Sequence, residues 1–570
     1  MNLSLAYLGK SRLTNTGGGN VMQLMPNLQR DPVAFDAALK HPLRFREAIS
    51  ALHDIVISDL RFQPRDKTAY FAWKKEQDNL RAQRIRQLSQ ANWKEIQQKQ
   101  EKEISKDFEK LFEAKNKQYW QARSKFNTYL WKHDPELWRQ IMPCDPVVTV
   151  SDEVVFFECF SADESSYGCL TVEREAGFGR SDEMQFGTTN VDYSWDLYHY
   201  FQSLRSYRET RLKVDPAGFG VATEGHPDYR EEKIDLPPGW LRGFMQIQAA
   251  MGLPTKQVRL SREAVYSLMA FLKRNKAKTS PRALRFELLP GEFPQLVLEP
   301  WEERIVSRHS RYDGPSQEPV RIWGRRRLLA LSRLLPLLDH VDVYLLGTGL
   351  PSFWVAQLGE MRLTMGLSGW TTNDWTRGSA IDLLAPPVDL QKAARDRIAQ
   401  HIRQNQAVSL EELATATGID RAECLAGLSY LAHTGQVIYD LASGVYRWRQ
   451  VMSEALGERE MGPESPELVA SRKLLAKGLV KNLSTQEVDS EQLLLTAKIA
   501  GCETEVLLDG EGRIKRGKCT CRHYKQYALK NGPCQHMLAL RARNLQKKQT
   551  TDEKASDWYD RLVNWSNSVN

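Results

Sequence analysis

At 570 residues the chain is too long for a single hydrophobic core, since cores stop growing at about 250 to 300 residues, and we expect three or four domains. A hydrophobic fraction of 41% is typical of globular proteins, and the sequence has neither an apolar run long enough to cross a bilayer nor a signal-like start. The net charge is +8 and the eight cysteines are too few for a disulfide scaffold, so we expect a cytoplasmic protein with no membrane contact.

Residues 1–65 form an N-terminal segment in which helical and turn signals are mixed. From residue 66 to 145 the chain is rich in Lys, Arg, Gln and Glu, and apolar residues recur at spacings of three and four. Because that spacing is broken between Ile96 and Ile104, the pattern predicts long amphipathic helices rather than a continuous coiled coil.

Between residues 146 and 386, short β-branched and aromatic runs are separated by Gly, Pro, Asp and Ser. Runs such as VVTV, VVFFECF and LRFELL predict strands, while residues 261–274 and 325–338 predict helices. We therefore expect one or two α+β domains. The polar residues of 163–166 and 190–196 could form a site, but no catalytic motif accompanies them. The sequence predicts a non-enzymatic protein with no catalytic residues.

Residues 387–450 carry sharp local signals. Ser409-Leu410-Glu411-Glu412 is a capping box that opens a helix ending at Gly418, and Asp420 caps the next helix. One helix precedes this pair, and two short strands follow Gly435. Three helices and a hairpin of this kind resemble a winged helix-turn-helix domain, which often places its third helix in the DNA major groove.

The surface of this predicted domain does not indicate whether the domain binds DNA or contacts protein. The third helix exposes a nearly charge-balanced set of side chains, and the hairpin adds only Arg447 and Arg449. A protein contact or a spacer role therefore competes with DNA binding.

The last predicted domain, residues 483–548, contains three cysteines and a histidine in a metal-binding arrangement. Strands flank the turn Asp509-Gly510-Glu511-Gly512, and the second strand leads into Cys519-Thr520-Cys521. After twelve intervening residues, Cys534-Gln535-His536 opens an apolar helical pattern. The C-x-C pair can share one side of a strand end, and the C-x-H pair can close the site from the helix.

Three thiolates and one imidazole form a set that suits zinc, which accepts sulfur and nitrogen in a tetrahedron. The predicted ligands of one structural zinc ion are Cys519, Cys521, Cys534 and His536. Because the protein fills all four positions, no open position is left for a catalytic water. His523 is a competing ligand by residue type, but we expect it on the loop surface.

Most of the positive charge lies around this site. Residues 513–548 contain eleven Lys or Arg and no Asp or Glu, whereas the rest of the chain has 68 basic and 71 acidic residues. Charge of one sign gathered in one place indicates a polyanion-binding surface. The predicted nucleic-acid contacts are Arg513, Lys515, Arg516, Lys518, Arg522, Lys525, Lys530, Arg541 and Arg543.

The order C-x-C, spacer, C-x-H after a β-hairpin resembles the SWIM zinc finger. This resemblance spans about 60 residues of the chain. It implies a ββα zinc module credited with DNA binding or protein interaction, and it assigns the four ligand roles to the cysteines and histidine named above.

Three longer strings, FFECFSADESSYGCL, FGTTNVDYSWDLYHYF and GLSGWTTNDW, are similar to segments of large bacterial SWIM proteins. Members of that family are often encoded beside a MoxR-like AAA+ ATPase and a von Willebrand factor A domain protein. The resemblance implies an adaptor in such an ATPase system, as the alternative to nucleic-acid binding. Residues 549–570 are expected to form a C-terminal tail.

Overall fold

The structure is a computed structural model that describes residues 12–16, 19–23, 33–58, 147–451 and 465–546, together with positions 129 and 133. Gaps within these ranges are residues 162, 182–183, 191–197, 199–200, 208, 216–217, 224–237, 317, 370–374, 376–380, 385–390 and 490–491. The chain divides into two units, Met1 with residues 59–142 and residues 2–58 with 143–570, and the architecture below is that of the second. The helices predicted for residues 66–145 and the predicted tail lie outside the described residues, apart from those two positions.

The strands of the described part are β1 Arg12–Thr16, β2 Gly19–Gln23, β3 Ala34–Ala38, β4 Val147–Val150, β5 Val154–Phe160, β6 Ser166–Glu173, β7 Met184–Gln185, β8 Gly187–Asn190, β9 Arg211–Asp215, β10 Gly218–Thr223, β11 Lys256–Ser261, β12 Leu284–Glu287, β13 Gln295–Leu298, β14 Glu303–Val306, β15 Val320–Ile322, β16 His340–Leu345, β17 Ser352–Leu358, β18 Met361–Leu367, β19 Ala407–Val408, β20 Val437–Asp440, β21 Val445–Trp448, β22 Val480–Asp489, β23 Gln492–Ile499, β24 Cys502–Asp509 and β25 Ile514–Cys519.

The helices of the described part are α1 Pro42–Val56, α2 Arg174–Gly177, α3 Pro238–Met251, α4 Arg262–Arg274, α5 Lys392–Asn405, α6 Leu410–Thr417, α7 Arg421–His433, α8 Pro466–Ala476, α9 Arg522–Tyr527 and α10, residues 535–546. No helix among these residues is long and apolar enough to cross a bilayer. The multidomain, mixed α/β character predicted from the sequence is confirmed.

An eight-stranded antiparallel sheet lies at the centre, in the order β11-β16-β17-β18-β6-β5-β4-β8. Strands β4 to β6 and β16 to β18 form two meanders, which meet where β18 pairs with β6. Strand β11 pairs only with β16 and leaves one edge of the sheet free of a strand partner among the described residues.

Helices cover both faces of the central sheet. A Cβ on Gly168 would lie 2.8 Å from Leu52 Cδ1 of α1, which shows how closely this helix approaches. Gly168 pairs with Met365, so the next residue, Gly366, faces the other side, where its Cβ would lie 3.3 Å from Ile247 of α3. Strands buried on both faces need no polar alternation, which explains why all seven residues of β5 are buried and six of them are apolar.

Two smaller sheets lie beside the central one, with the orders β1-β2-β10-β9-β3-β7 and β14-β13-β12-β15. Between β15 and β16, the helix predicted for residues 325–338 is a 3-10 helix that covers only Arg325–Arg333. Its buried residues Arg325, Leu328 and Leu331 recur every third position, as does its buried C-cap Leu334, which matches three residues per turn and not 3.6.

Residues 392–449, called the three-helix module here, contain α5, α6 and α7 and a sheet in the order β19-β21-β20. The predicted capping box is confirmed, because Ser409 Oγ accepts from Glu412 N–H at 3.2 Å and the Glu412 carboxylate accepts from Ser409 N–H at 2.8 Å. Gly418 ends α6 with a φ of 65°, a left-handed conformation that glycine adopts without strain. The module has an apolar core of its own, which includes Ile398, Leu413 and Leu428.

Residues 480–546, called the finger here, contain the antiparallel sheet β22-β23-β24-β25, followed by α9 and α10. Its buried side chains, such as Leu495, Val506 and Leu540, belong to the same apolar core as the central sheet. The sequence analysis missed β22, whose residues are mostly exposed and polar, and also α8 and α9. The finger therefore contains one strand and one helix more than predicted, and it is packed onto the rest of the chain.

Candidate metal centre

The structure brings the four predicted ligands together. The metal-binding atoms of Cys519, Cys521, Cys534 and His536 all lie within 4.8 Å of one another, and all four residues are buried. Cys519 Sγ lies 3.7 Å and Cys534 Sγ 3.9 Å from His536 Nδ1. His523 is not in this group; its Nε2 lies 3.7 Å from Glu467 Oε1.

Each predicted ligand lies at or next to the end of a strand or the start of a helix. Cys519 is the last residue of β25, and Cys521 is the N-cap of α9, where its Sγ accepts from Tyr524 N–H at 3.4 Å. Cys534 directly precedes α10, so His536 lies in the first turn of that helix. The C-x-C pair therefore spans a strand end and a helix start, whereas the sequence analysis expected two positions on one strand.

Close packing fixes the strand against the helix. Gly517 of β25 lies beneath Met537 of α10, and a Cβ at position 517 would come within 2.9 Å of the Met537 side chain. A larger residue at position 517 would have to displace the end of the Met537 side chain, which packs between the strand and the helix next to the ligands. The sequence analysis did not identify this glycine, because its role depends on which face of β25 meets α10.

A second neighbour that the sequence analysis missed is Thr504. Its Oγ1 lies 3.4 Å from Cys519 Sγ, because Thr504 is the register partner of Cys519 in the β24–β25 hairpin. The register contains an irregularity at Leu507 and Leu508, so simple counting back from the turn does not identify this pair.

The three thiols share a single proton-binding network. A hydrogen bond from Cys534 lowers the pKa of Cys519 to about 3, and the same contact raises the pKa of Cys534. Burial raises the pKa of Cys521. A divalent ion would displace the protons of these thiols, because only the thiolate is a strong metal ligand.

The donor set fits a tetrahedral metal ion. With Zn–S bonds of about 2.3 Å and a Zn–N bond of about 2.0 Å, neighbouring donors in a tetrahedron lie about 3.5 to 3.8 Å apart. The two sulfur–nitrogen distances of 3.7 and 3.9 Å are close to this range. Three sulfurs and an imidazole favour a soft or borderline ion over magnesium or calcium, which prefer oxygen.

Six of the nine predicted nucleic-acid contacts have exposed side chains: Lys515, Arg516, Lys518, Arg522, Lys525 and Arg543. Arg516 and Lys518 lie on the face of β25 opposite to Cys519, because side chains alternate along a strand. The sheet also places acidic residues beside them, since Glu505 is the register partner of Lys518 and its Oε1 lies 3.7 Å from Arg516 Nη2. The pairing of β24 with β25 therefore places an acidic side chain beside basic ones, although the basic segment itself contains no Asp or Glu.

The structure contradicts the predicted surface role of Arg541. This side chain is 6% exposed and donates to the carbonyl oxygens of Leu383 and Leu384, at 2.9 and 3.5 Å. Burial lowers its pKa to about 10. Arg541 is buried because α10 packs its inner face against the rest of the core, so this residue connects the finger to the chain before the three-helix module.

Arg513 and Lys530 also differ from the predicted surface contacts. Arg513 pairs with Asp509 at 2.6 Å and donates to the carbonyl oxygen of Gly252 at 3.0 Å. Lys530 Nζ lies 5.9 Å from the ring centroid of Trp323, and its stem lies against Gly349. Both side chains are half-buried and contact the central part of the unit.

The two arginines of the hairpin in the three-helix module also make buried contacts within the protein. Arg449 is fully buried, with Nε 3.3 Å from Glu158 Oε2 on β5 and its guanidinium 4.7 Å from the ring centroid of Phe244. Arg447, 3% exposed, pairs with Asp440 and with Glu153, each at 2.9 Å. The two arginines that the sequence offered as DNA contacts instead attach the hairpin to the central sheet.

The third helix of the module, α7, is mostly enclosed as well. Its central residues are buried, and it packs against α3. At its exposed start, Arg421 pairs with Glu411 of α6 and, at 2.8 Å, with Glu511 of the finger. These contacts occupy much of the helix that would enter a DNA groove in a DNA-binding winged helix.

The polar residues around Asp163, considered above as a possible site, form a structural network. The Asp163 carboxylate accepts from Ser161 Oγ at 2.7 Å and from Ser165 N–H at 3.2 Å, and it pairs with Arg327 at 3.1 Å. Asp163 is 6% exposed. Residues 191–197, the rest of the second polar segment, lie outside the described residues.

No protein-family model matches this sequence, and no curated protein matches it. Among solved structures, the chain is similar to the proliferating cellular nuclear antigen of Entamoeba histolytica, with 13% identity, a TM-score of 0.28, and coverage of 40% of this chain and 89% of that one. It is also similar to PCNA of A. fulgidus with the C-terminal region of FEN-1, with 11% identity, a TM-score of 0.30, and coverage of 40% and 91%. For the PCNA2–PCNA3 complex from Sulfolobus tokodaii the identity is 9%, the TM-score 0.30 and the coverage 41% and 92%. Scores this low support no conclusion about the chain.

Proposed function

We propose that the chain is a non-enzymatic zinc-binding protein whose finger is of the SWIM type and binds nucleic acid. The observation that carries the proposal is the buried group of Cys519, Cys521, Cys534 and His536, on elements that also bear exposed cations. The ion would be held by three thiolates and the imidazole and would fix the end of β25 against α10. Four protein ligands leave no position for a reacting water, so the role of the ion is structural.

The exposed cations of the finger supply the contact surface. Lys518, Arg522 and Lys525 lie on β25 and α9, next to Cys519 and Cys521, so the metal site holds them in fixed positions. Lysine and arginine bind phosphate oxygens and release the counterions that surround a nucleic acid. Arg513 and Arg541 are not part of this surface, since both contact the protein interior.

Binding of labelled duplex DNA, single-stranded DNA and RNA, measured over a range of salt concentrations, tests the proposal. If all six exposed cations contact phosphates on duplex DNA, log K falls with log salt at a slope of about −5. Lys518→Ala with Arg522→Ala should reduce the steepness of that slope by about 2. The matched control removes two exposed cations of α4, Lys273→Ala with Arg274→Ala, and should leave the slope unchanged. Undetectable or salt-insensitive binding would refute the proposal.

The three-helix module, in this proposal, has the winged-helix arrangement and serves as an internal support. Its separate core allows it to form locally, while Arg447 and Arg449 attach it to the central sheet. We place the protein in a reducing compartment such as the cytoplasm, because the described cysteines are free thiols and oxidation would destroy the cluster.

The second candidate function is that of a protein-interaction adaptor, such as the family resemblance implies for a MoxR-like AAA+ ATPase and von Willebrand factor A system. Glu505 beside Arg516 and Lys518 gives the finger a mixed-charge face, which suits a protein partner better than a polyanion. A nuclease-treated pull-down with the native chain and with Cys519→Ser, Cys521→Ser separates the two candidates. Zinc-dependent retention of an AAA+ ATPase supports the adaptor, and its absence beside robust nucleic-acid binding excludes it.

A further inference from the structure

A groove with a volume of about 910 Å³ lies between the central sheet and the finger. One wall is formed by β11 and the loop of residues 310–315, and the other by parts of β24 and β25. The finger thus forms a wall of the groove, in addition to carrying the basic surface discussed above.

Among the residues that the structure describes, no strand pairs with the outer edge of β11, and the part of this edge around Gln257 lines the groove. At the far end of the strand, Ser307 Oγ accepts from Ser261 N–H at 2.9 Å and donates to the Arg259 carbonyl at 3.2 Å, on the side away from β16. Backbone groups of alternate residues point to the same side of an antiparallel strand. Gln257, two residues before Arg259, therefore directs its N–H and C=O toward the groove. An unpaired edge of this kind is a template for an added strand.

The groove is positively charged. Lys256 contributes from β11, Arg311 from the loop of residues 310–315, and Lys515 and Arg516 from the finger, while Arg259 also lines the groove and pairs with Asp342. Asp313 is the one carboxylate among the described residues that line it. Burial and the nearby positive charge of Lys515 both lower the pKa of Lys256. Ammonium groups on both walls of the groove favour an anionic occupant.

The remaining walls are aliphatic. Leu253, Val258, Leu350 and Ile514 line the groove, and the one aromatic residue among those lining it, Tyr312, is only 6% exposed. Single-stranded nucleic acids bind by stacking their bases on exposed aromatic rings, and this groove offers none. Aliphatic side chains spaced along an extended peptide match these walls better.

We infer that the groove binds an extended acidic peptide, whose backbone pairs with the β11 edge at Gln257, whose carboxylates contact Lys256 and Lys515, and whose aliphatic side chains fill the space between. This inference goes beyond the proposed function. It depends on a zinc-fixed finger as one wall of the groove and does not depend on nucleic-acid binding.

The test uses the full-length, zinc-loaded protein and a fluorescein-labelled peptide of alternating Val and Glu, with binding followed by anisotropy. Lys256→Glu with Lys515→Glu should weaken binding by at least about tenfold, because two attractive contacts become repulsive. Gln257→Pro removes one donor at the edge without touching the bonds to β16, and should weaken binding by about tenfold. The charge-matched control, Lys273→Glu with Arg274→Glu, should bind as the native protein does.

Two further probes separate the alternatives. A peptide with Lys in place of Glu should not bind, and one with Gly in place of Val should bind more weakly. Equal binding of the Lys peptide, or no effect of the double charge reversal in a variant that keeps its zinc, overturns the inference. A thymidine oligonucleotide that displaces the peptide and is weakened as much as the peptide by Lys256→Glu alone, at a residue outside the proposed phosphate contacts, would assign the groove to nucleic acid instead.

The proposed function fails separately from this inference. Lys518→Ala with Arg522→Ala should weaken oligonucleotide binding and leave the Val-Glu peptide unaffected, since neither residue lines the groove. Loss of both ligands in this variant would show that peptide and oligonucleotide share a site and would contradict the inference.

Discussion

The three-helix module and the finger lie next to each other in the sequence, but they are stabilised in different ways. The module has a separate apolar core and side-chain caps at the starts of α6 and α7, so its local sequence specifies most of its structure. The apolar side of the finger belongs to the core of the central sheet, and its strand end and helix meet at the four residues that could hold a metal ion. We therefore expect the module to be stable without a ligand and the finger to require a metal ion.

The comparison also shows what basic residues can and cannot indicate. Arg449 in the module and Arg541 in the finger are as basic in the sequence as Lys518, yet both are buried. An arginine is buried when the fold supplies carboxylates, carbonyls or an aromatic face, and those partners come from distant parts of the chain. Charge counting therefore identifies a basic segment but not which of its members face solvent.

Removal of a metal ligand should produce the largest difference in amide protection between the finger and the three-helix module. In Cys534→Ser we expect loss of bound zinc and loss of amide protection across residues 502–546, since a structural zinc site contributes about 10 to 16 kcal/mol of apparent binding free energy. The three-helix module should keep its protection because its core does not include the metal site. Hydrogen exchange with metal analysis of the same sample measures both effects.

A matched control for this experiment is Cys502→Ser, which changes a half-exposed thiol of the same sheet outside the cluster. It should retain zinc and amide protection. Simultaneous loss of protection in the module and the finger of Cys534→Ser would show that the two regions unfold as one, contrary to the comparison.

Breaking the buried ion pair that attaches the module should have the next largest effect. Arg449→Met leaves the Glu158 carboxylate buried without its cation and should lower the free energy of unfolding by about 3 to 5 kcal/mol. Adding Glu158→Gln should restore part of the loss. Arg421→Met, at an exposed ion pair, should cost no more than about 1 kcal/mol. Urea unfolding monitors all three variants, and equal losses for Arg449→Met and Arg421→Met would contradict the assignment.

Acid should weaken the same attachment through Asp440. Burial acts to raise the pKa of this carboxyl, but Arg362 and Arg447 outweigh it, so that its pKa lies below the usual value. A carboxyl with a lowered pKa stabilises the folded state above its unfolded-state pKa and loses that contribution as pH falls through the folded-state value. Asp440→Asn should therefore be less stable than the native chain at neutral pH, with a difference that shrinks below about pH 4. Urea midpoints measured against pH test this, and a constant difference would exclude it.

The smallest predicted effect concerns the capping box. Ser409→Ala removes the acceptor for Glu412 N–H and should lower stability by about 1 kcal/mol, with the loss confined to α6. Thr415→Ala, an exposed position inside the same helix, is the control and should change stability by less. If Ser409→Ala instead reduced protection in the finger, the module would not be locally independent.

Local signals predicted much of the fold. The caps at Ser409 and Asp420 and the breaker at Gly418 gave the helices of the module, because a cap needs only residues that are near in sequence. The 3-10 helix at Arg325–Arg333 was predicted as a longer helix, since the choice of three residues per turn depends on which leucines reach the core. The order of the central sheet, in which β18 joins β6, depends on long-range pairing that no local pattern contains.

The metal site was predictable and its surroundings were not. The spacing of the cysteines and the histidine identifies Cys519, Cys521, Cys534 and His536 as metal ligands, because few other roles require such a set. Thr504 and Gly517 support the site through a hairpin register and a close approach of α10, and both require the folded structure. The division of the basic residues into exposed and buried depends on tertiary contacts in the same way.

X-ray absorption at the zinc edge of the purified full-length protein tests the central claim most directly. We predict one zinc ion per chain, with three sulfur neighbours at about 2.3 Å and one nitrogen at about 2.0 to 2.1 Å. Cys534→Ser should lose one sulfur neighbour or the whole signal. A native protein with fewer than three sulfur neighbours, or with an oxygen from water in the first shell, would contradict a closed structural site at Cys519, Cys521, Cys534 and His536.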